Sequence, residues 1–263
     1  MKNFTRTVIG AFLLALGTLA AETIDLSMPD AWAESGKFAW RDGTIVTTGR
    51  IALASKNNFR VDPSKKYTLS FAVKASKPKN WLLAGFQAFD AKGRMILSPN
   101  VNAVPGSMTA TVEAAPKGAT FMILKDASKW KRDGGLSIVA GAKADYSDLP
   151  NFNIVSTGIA DVKKEGENWK VTLSKPLSVP VAAGTGVRLH LPGGALYTCG
   201  ITYISNEWRK ISGSIRGVLE NKPGYGPVIW PAGTAFGRVL ILVNWKNVEN
   251  MTTEFEELKL EIE

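Results

Sequence analysis

Alternation of apolar and polar positions runs through much of the chain. In Tyr67-Thr68-Leu69-Ser70-Phe71-Ala72-Val73-Lys74, large apolar residues alternate with small or polar ones. That period of two predicts a strand with one face buried. Trp169-Lys170-Val171-Thr172-Leu173, Val187-Arg188-Leu189-His190-Leu191 and Leu258-Lys259-Leu260-Glu261-Ile262-Glu263 repeat it. Arg238-Val239-Leu240-Ile241-Leu242-Val243 is apolar on both faces and predicts a central strand between two layers.

Turn chemistry separates these runs. Asp90-Ala91-Lys92-Gly93 lies between Gly85-Phe86-Gln87-Ala88-Phe89 and Arg94-Met95-Ile96-Leu97, which predicts a hairpin around a type I turn. Asp42-Gly43 and Glu165-Gly166 mark further tight turns, and 25 glycines and 13 prolines are spread along the chain. No segment of a dozen residues carries helical periodicity with caps. The expectation is an all-β protein, a jelly-roll β-sandwich with an inserted smaller β subdomain. The polar, proline-bearing stretch Asp145–Asn151 sets the internal boundary, and a second break falls near Pro192-Gly193-Gly194. Residues 22–145 are then the first part of the sandwich, 146–200 the inserted subdomain and 201–263 the closing strands. An insertion places the strands around Leu69 and Leu240 on one core, whereas tandem domains would separate them.

The first 21 residues read differently. Lys2 and Arg6 precede an apolar run from Val8 to Leu19, and Ala20-Ala21 supplies small residues for cleavage. This is the pattern of a signal peptide, too short to span a bilayer. The protein is expected to be exported, to periplasm, cell surface or medium, with no transmembrane segment in the mature chain. The single cysteine, Cys199, excludes an intrachain disulfide, so packing must hold the fold. The formal charge of +9 falls to +7 without Lys2 and Arg6. Its cations are scattered, as on a solvated basic surface, which also attracts anionic glycans and envelope polymers. No nucleic-acid-binding motif is present.

Catalytic constellations are sparse. His190 is the only histidine, and Gly213-Ser214-Ile215-Arg216-Gly217 places its serine one position too early for a nucleophile elbow. One His and one Cys leave no ordinary zinc set. Calcium needs neither, and Asp145, Asp148 and Asn151 form the densest oxygen group, although a capped turn explains them too. A pair of carboxylates for sugar hydrolysis or elimination is not excluded, since 23 acidic residues are available. No metal or cofactor is required by the sequence, and a structural calcium is the one compatible with it.

The eight tryptophans supply the candidate binding chemistry, because the apolar C–H faces of sugars stack on aromatic rings. Trp169 and Trp245 are in phase with core positions, and Trp208 begins a strand. Trp81, Trp130 and Trp230 lie at loop-to-strand edges or among lysines and are the candidate ligand-binding residues. Tyr225, in Pro223-Gly224-Tyr225-Gly226-Pro227, is a fourth.

The run from Phe59 through Val61-Asp62-Pro63 to Lys74 resembles the early strands of the jelly-roll carbohydrate-binding modules associated with xylanases and cellulases. The Asp90–Gly93 hairpin is similar too. So is the ending, from Trp208–Gly213 through Arg238–Leu242 to Phe255-Glu256-Glu257-Leu258-Lys259-Leu260. The resemblance covers residues 35–130 and 200–263, and 146–200 has no counterpart in the simple module. It implies a non-catalytic protein that binds a polysaccharide or other glycan through loop aromatics. It differs in its closing acidic pair, Glu256-Glu257, where the family has Asp near a structural calcium. An envelope structural or adhesion protein binding another protein, and a sugar-active hydrolase or lyase, are the alternatives. The glycan reading expects at least two of Trp81, Trp130 and Trp230 exposed together. The protein-partner reading expects them scattered or buried.

Overall fold

The computed structural model describes residues 21–33, 38–78 and 80–263. Residues 1–20 of the expected signal peptide, 1–21, lie outside them. In chain order the strands are β1 (Glu22–Asp25), β2 (Phe38–Arg41), β3 (Thr44–Thr48), β4 (Ile51–Ala54), β5 (Phe59–Arg60), β6 (Lys66–Ala75), β7 (Asn80–Phe89), β8 (Met95–Ile96) and β9 (Thr109–Ala110). They continue as β10 (Phe121–Leu124), β11 (Asp133–Ala140), β12 (Ile154–Glu165), β13 (Asn168–Leu173), β14 (Gly186–His190), β15 (Ile201–Ile204), β16 (Arg209–Arg216), β17 (Phe236–Val243) and β18 (Thr252–Ile262). Among the described residues helix is confined to a 3-10 turn at Pro29–Ala31 and one α turn, α1 (Ser98–Val101). Among the described residues no helix is long and apolar enough to cross a membrane.

The chain is all-β, and its main body is a sandwich of two antiparallel sheets. One has the order β16-β6-β18-β3-β2, with β1 added on β18. The other has the order β15-β7-β17-β4, with β5 on β17 and β8 on β7. The alternation in β6 sends Tyr67, Leu69, Phe71 and Val73 inward, where they meet Leu82, Phe86, Val239 and Ile241 of the facing sheet. β6 and β17 therefore share one core. β17 is buried on both faces, as its double-sided apolar run predicts, because Leu240 and Leu242 pack outward against Leu83, Trp81 and Tyr197. The β7–β8 hairpin turns where expected. The Asp90 carboxylate accepts from the backbone N–H groups of Lys92 and Arg94, and Gly93 takes φ 76°.

Between α1 and β15 the chain leaves the sandwich and builds a third sheet in the order β10-β13-β12-β11-β14-β9. This sheet closes on itself. Beyond β9, Thr111 bridges Leu124, and the N–H of Val112 donates to the carbonyl of Ile123 at 2.8 Å. The result is a small barrel filled by its own apolar cluster, including Met122, Leu124, Ile138, Val155, Val171 and Leu189. Closure removes the unpaired edges that an isolated small sheet would expose. Entry and exit lie side by side, since the N–H of Leu191 donates to the carbonyl of Asn102 at 2.8 Å and Ala103 bridges His190. The boundary expected at residues 145 and 146 falls inside this barrel, in the connection from β11 to β12. The break near Pro192-Gly193-Gly194 falls at its exit. Polar, proline-bearing stretches mark any loop, whether or not a domain begins there.

A polar lock fixes barrel to sandwich. Arg188, buried, and Asp148, whose side chain is 7% exposed, form an ion pair at 2.8 Å. The Arg188 Nε–H donates to His190 Nε2 at 2.9 Å, so that nitrogen must be unprotonated. The proton then sits on Nδ1, 2.8 Å from the Pro99 carbonyl oxygen in the sandwich. Asn151 adds a second tie, its backbone N–H donating to the carbonyl of Asn100 at 2.8 Å.

Candidate functional site

The expected tryptophans do not come together. Trp230 is 0% exposed, wedged in the sandwich core between Phe59, Tyr67 and Phe86. Trp130 is 4% exposed and packs in the barrel cluster, its indole N–H donating to the Ser107 carbonyl at 2.8 Å. Neither ring presents a face to a ligand, which corrects their assignment as stacking residues. The cause in both cases is that a bulky apolar ring next to a turn folds back to close the end of a core. Tyr225 is half-buried against the sandwich core, and its hydroxyl donates to the Gly194 carbonyl. Trp81 alone among the four borders an open surface.

Around Trp81 the structure gathers a different set of aromatics. β3–β4, β6–β7, β15–β16 and β17–β18 all turn at the same end of the sandwich. Backbone hydrogen bonds tie these turns together: Gly49 to Met251 (2.8 Å), Ser76 to Thr252 (2.9 Å), Ala75 to Ser205 (2.7 Å) and Trp245 to Trp81 (2.9 Å). Tyr203, directly opposite Trp81 in the β7–β15 register, is 60% exposed and meets the Trp81 ring edge to face at 5.9 Å. Trp245, whose backbone N–H is bonded to Trp81, is 39% exposed; Trp208 is 40% exposed but lies beside Lys74 and Glu254 on the outer face of the opposite sheet.

Cations cover these rings. The Lys246 ammonium stands 3.6 Å from the centre of Trp81, the Arg50 guanidinium 3.7 Å from Trp245 and the Lys74 ammonium 4.7 Å from Trp208. At an exposed site each such contact is worth about 0.5–1 kcal/mol. Lys74 is also paired with Glu254 at 3.1 Å.

Two of these residues escaped sequence reasoning for identifiable reasons. Trp245 continues the inward phase of Val239, Ile241 and Val243 on paper, but Asn244 intervenes in the left-handed region at φ 52°. That one residue turns the chain out of the strand, and its side chain braces the turn by hydrogen-bonding both backbone groups of Val248 at 2.8 Å. Trp208 precedes β16 and comes to lie beneath Lys74 rather than in the core. Tyr203 carried a usable signal, since Ile201-Thr202-Tyr203-Ile204 places its tyrosine out of phase with Ile204.

The rest of the chemistry-bearing side chains are structurally committed. His190 is fully buried, and its pKa is pushed down to about 4 by desolvation first and the Arg188 charge second. Burial raises the Cys199 thiol to about 11, far from a reactive thiolate. In the Asp145–Asn151 group, Asp145 accepts from the Ser147 N–H, Asp148 binds Arg188, and the Asn151 side chain donates to Asp148 at 2.9 Å. Among the described residues no cluster of three His, Cys, Asp or Glu side chains is placed to hold a metal. The acidic pair is held on the outer sheet face, Glu256 by the Thr44 hydroxyl and Glu257 by Lys210. A separate hollow of about 270 Å³ lies at the sandwich edge, floored by Phe59, Val239 and Leu260 and rimmed by Asp25, Asp30, Asn57 and Asn58.

No protein-family model, curated protein or solved structure matches the chain.

Proposed function

We propose that this is an exported, non-catalytic carbohydrate-binding protein, and that it takes its glycan at the loop end formed by Trp81, Tyr203 and Trp245. The observation that carries the reading is this convergence of partly exposed aromatic rings on a braced set of turns, beside cationic donors able to hydrogen-bond sugar hydroxyls. Tyr203, 60% exposed and with no cation over its ring among the described residues, offers a face to the apolar side of a pyranose, and a preformed surface avoids much of the entropy cost of ordering loops on binding. The resemblance of the β6 and β16–β18 segments to jelly-roll carbohydrate-binding modules leans the same way.

Burial of Trp130 and Trp230 favours the second reading, an envelope structural or adhesion protein with a protein partner on the same surface. A glycan array spanning plant, algal and host polysaccharides separates the two. It should be probed with the mature protein and with Trp81→Ala, Tyr203→Ala and Trp245→Ala, each verified as folded by circular dichroism. Binding that falls in at least two variants supports the glycan reading. A blank array across all glycans turns the weight to the protein partner.

A further inference from the structure

We infer that the loop-end site selects anionic glycans, chains bearing carboxylate or sulfate groups, over neutral ones. The inference rests on the glycan reading above and adds the class of ligand. It comes from the charge inventory of the site. Arg50, Lys74, Lys77, Lys246 and Arg209 lie on the four turns or at the strand ends they join, against Glu207, Glu249 and Glu254. Glu254 is spent on Lys74, and Lys77 donates to the backbone carbonyl of Glu249 at 2.9 Å.

Arg50 and Lys246 differ from the other cations. Each sits on a tryptophan face at 3.7 Å and 3.6 Å, and among the described residues neither is in an ion pair. A cation held on an indole face is oriented and partly desolvated while its charge remains unneutralised. Its N–H donors are free to take an anionic oxygen in a charge-assisted bond. A carboxylate-bearing sugar ring matches this arrangement in one unit, its C–H face against the exposed ring of Tyr203 and its carboxylate on the Lys246 ammonium over the neighbouring Trp81. A neutral sugar must displace or ignore those cations. The protein's overall charge of +9 adds long-range attraction to any polyanion, so selectivity at the site has to be separated from general charge.

The experiment compares short oligogalacturonates, the same oligomers fully methyl-esterified, and sulfated galactan oligomers by calorimetry at low salt. It uses the mature protein, an Arg50→Gln/Lys246→Gln variant and, as a charge-matched control, Lys163→Gln/Lys164→Gln on the distant barrel. The free acid should bind at least about tenfold tighter than its ester, the ratio one charge-assisted hydrogen bond supplies. The loop-end variant should erase that ratio and the barrel variant keep it. The sulfated oligomer tells whether sulfate serves as well as carboxylate, and tighter binding of either anion supports the inference. Equal binding of acid and ester, or equal loss in the two variants, overturns the anionic preference while leaving the glycan reading standing. Binding of none of the oligomers, together with a blank array, removes both.

Discussion

Acid should loosen the junction between barrel and sandwich, and His190 sets the pH at which it does so. The ring is fully buried, accepts from Arg188 through Nε2 and donates to Pro99 through Nδ1, an arrangement only the neutral imidazole satisfies. Protonating Nε2 would place a second cation against the Arg188 guanidinium at 2.9 Å, a charge that Asp148, already paired with Arg188, offsets only in part. Burial and Arg188 accordingly depress the pKa from 6.5 to about 4. A depressed value means that the unfolded chain takes up the proton first. The stabilisation is therefore complete above pH 6.5 and is lost progressively as pH falls toward 4. At 1.36 kcal/mol per unit, the lowering amounts to about 3 kcal/mol. Urea unfolding of the wild type should weaken by that order between pH 7.5 and pH 4. His190→Gln, which cannot titrate, should lose much less over the same interval although it starts lower. Exposed carboxylates contribute equally to both proteins and cancel in the difference. Parallel pH profiles for the two would refute the neutral-histidine lock.

Five further outcomes follow from the packing. Asp148→Asn leaves Arg188 buried without its counter-charge and should cost about 3–5 kcal/mol in urea unfolding. Trp230→Ala opens a cavity among Phe59, Tyr67 and Phe86 at about 3–5 kcal/mol. Trp230→Phe should cost far less, because the indole N–H has no partner among the described residues and its loss removes an unsatisfied donor. Gly213→Ala places a methyl 2.3 Å from the Thr198 carbonyl oxygen and should cost more than about 3 kcal/mol. Gly134→Ala, which meets nothing within 4 Å, should change thermal stability by about 0.5 kcal/mol or less.

Sequence periodicity located the strands that are buried on a single regular face. Tyr67–Lys74, Trp169–Leu173, Val187–His190 and Leu258–Ile262 all lie in strands, and the doubly apolar Arg238–Val243 run lies between β7 and β4 as a central strand. The Asp90–Gly93 turn was equally legible, because its chemistry is local. Barrel closure was not. It depends on β9, two residues long, and on single backbone bonds from Val112 to Ile123 and from Lys125 to Ala110, which leave no periodic trace. The candidate site was hidden for a different reason. Exposure of a tryptophan is decided by what lies across the turn from it. Lys129, Lys131 and Arg132 around Trp130 suggested solvent, yet the ring folds under Ser107. Asn244 reverses the apparent phase of Trp245 through one positive φ.

The glycan reading predicts where a bound chain must touch the protein, and hydrogen exchange with and without a saturating glycan from the array tests it most directly. Amides in 203–206 and 244–250, which carry Tyr203, Trp245 and Lys246, should become protected while the barrel, 109–190, exchanges unchanged. Protection confined to the barrel or to the hollow around Asn57 and Asn58, with the loop end unaffected, would contradict the account.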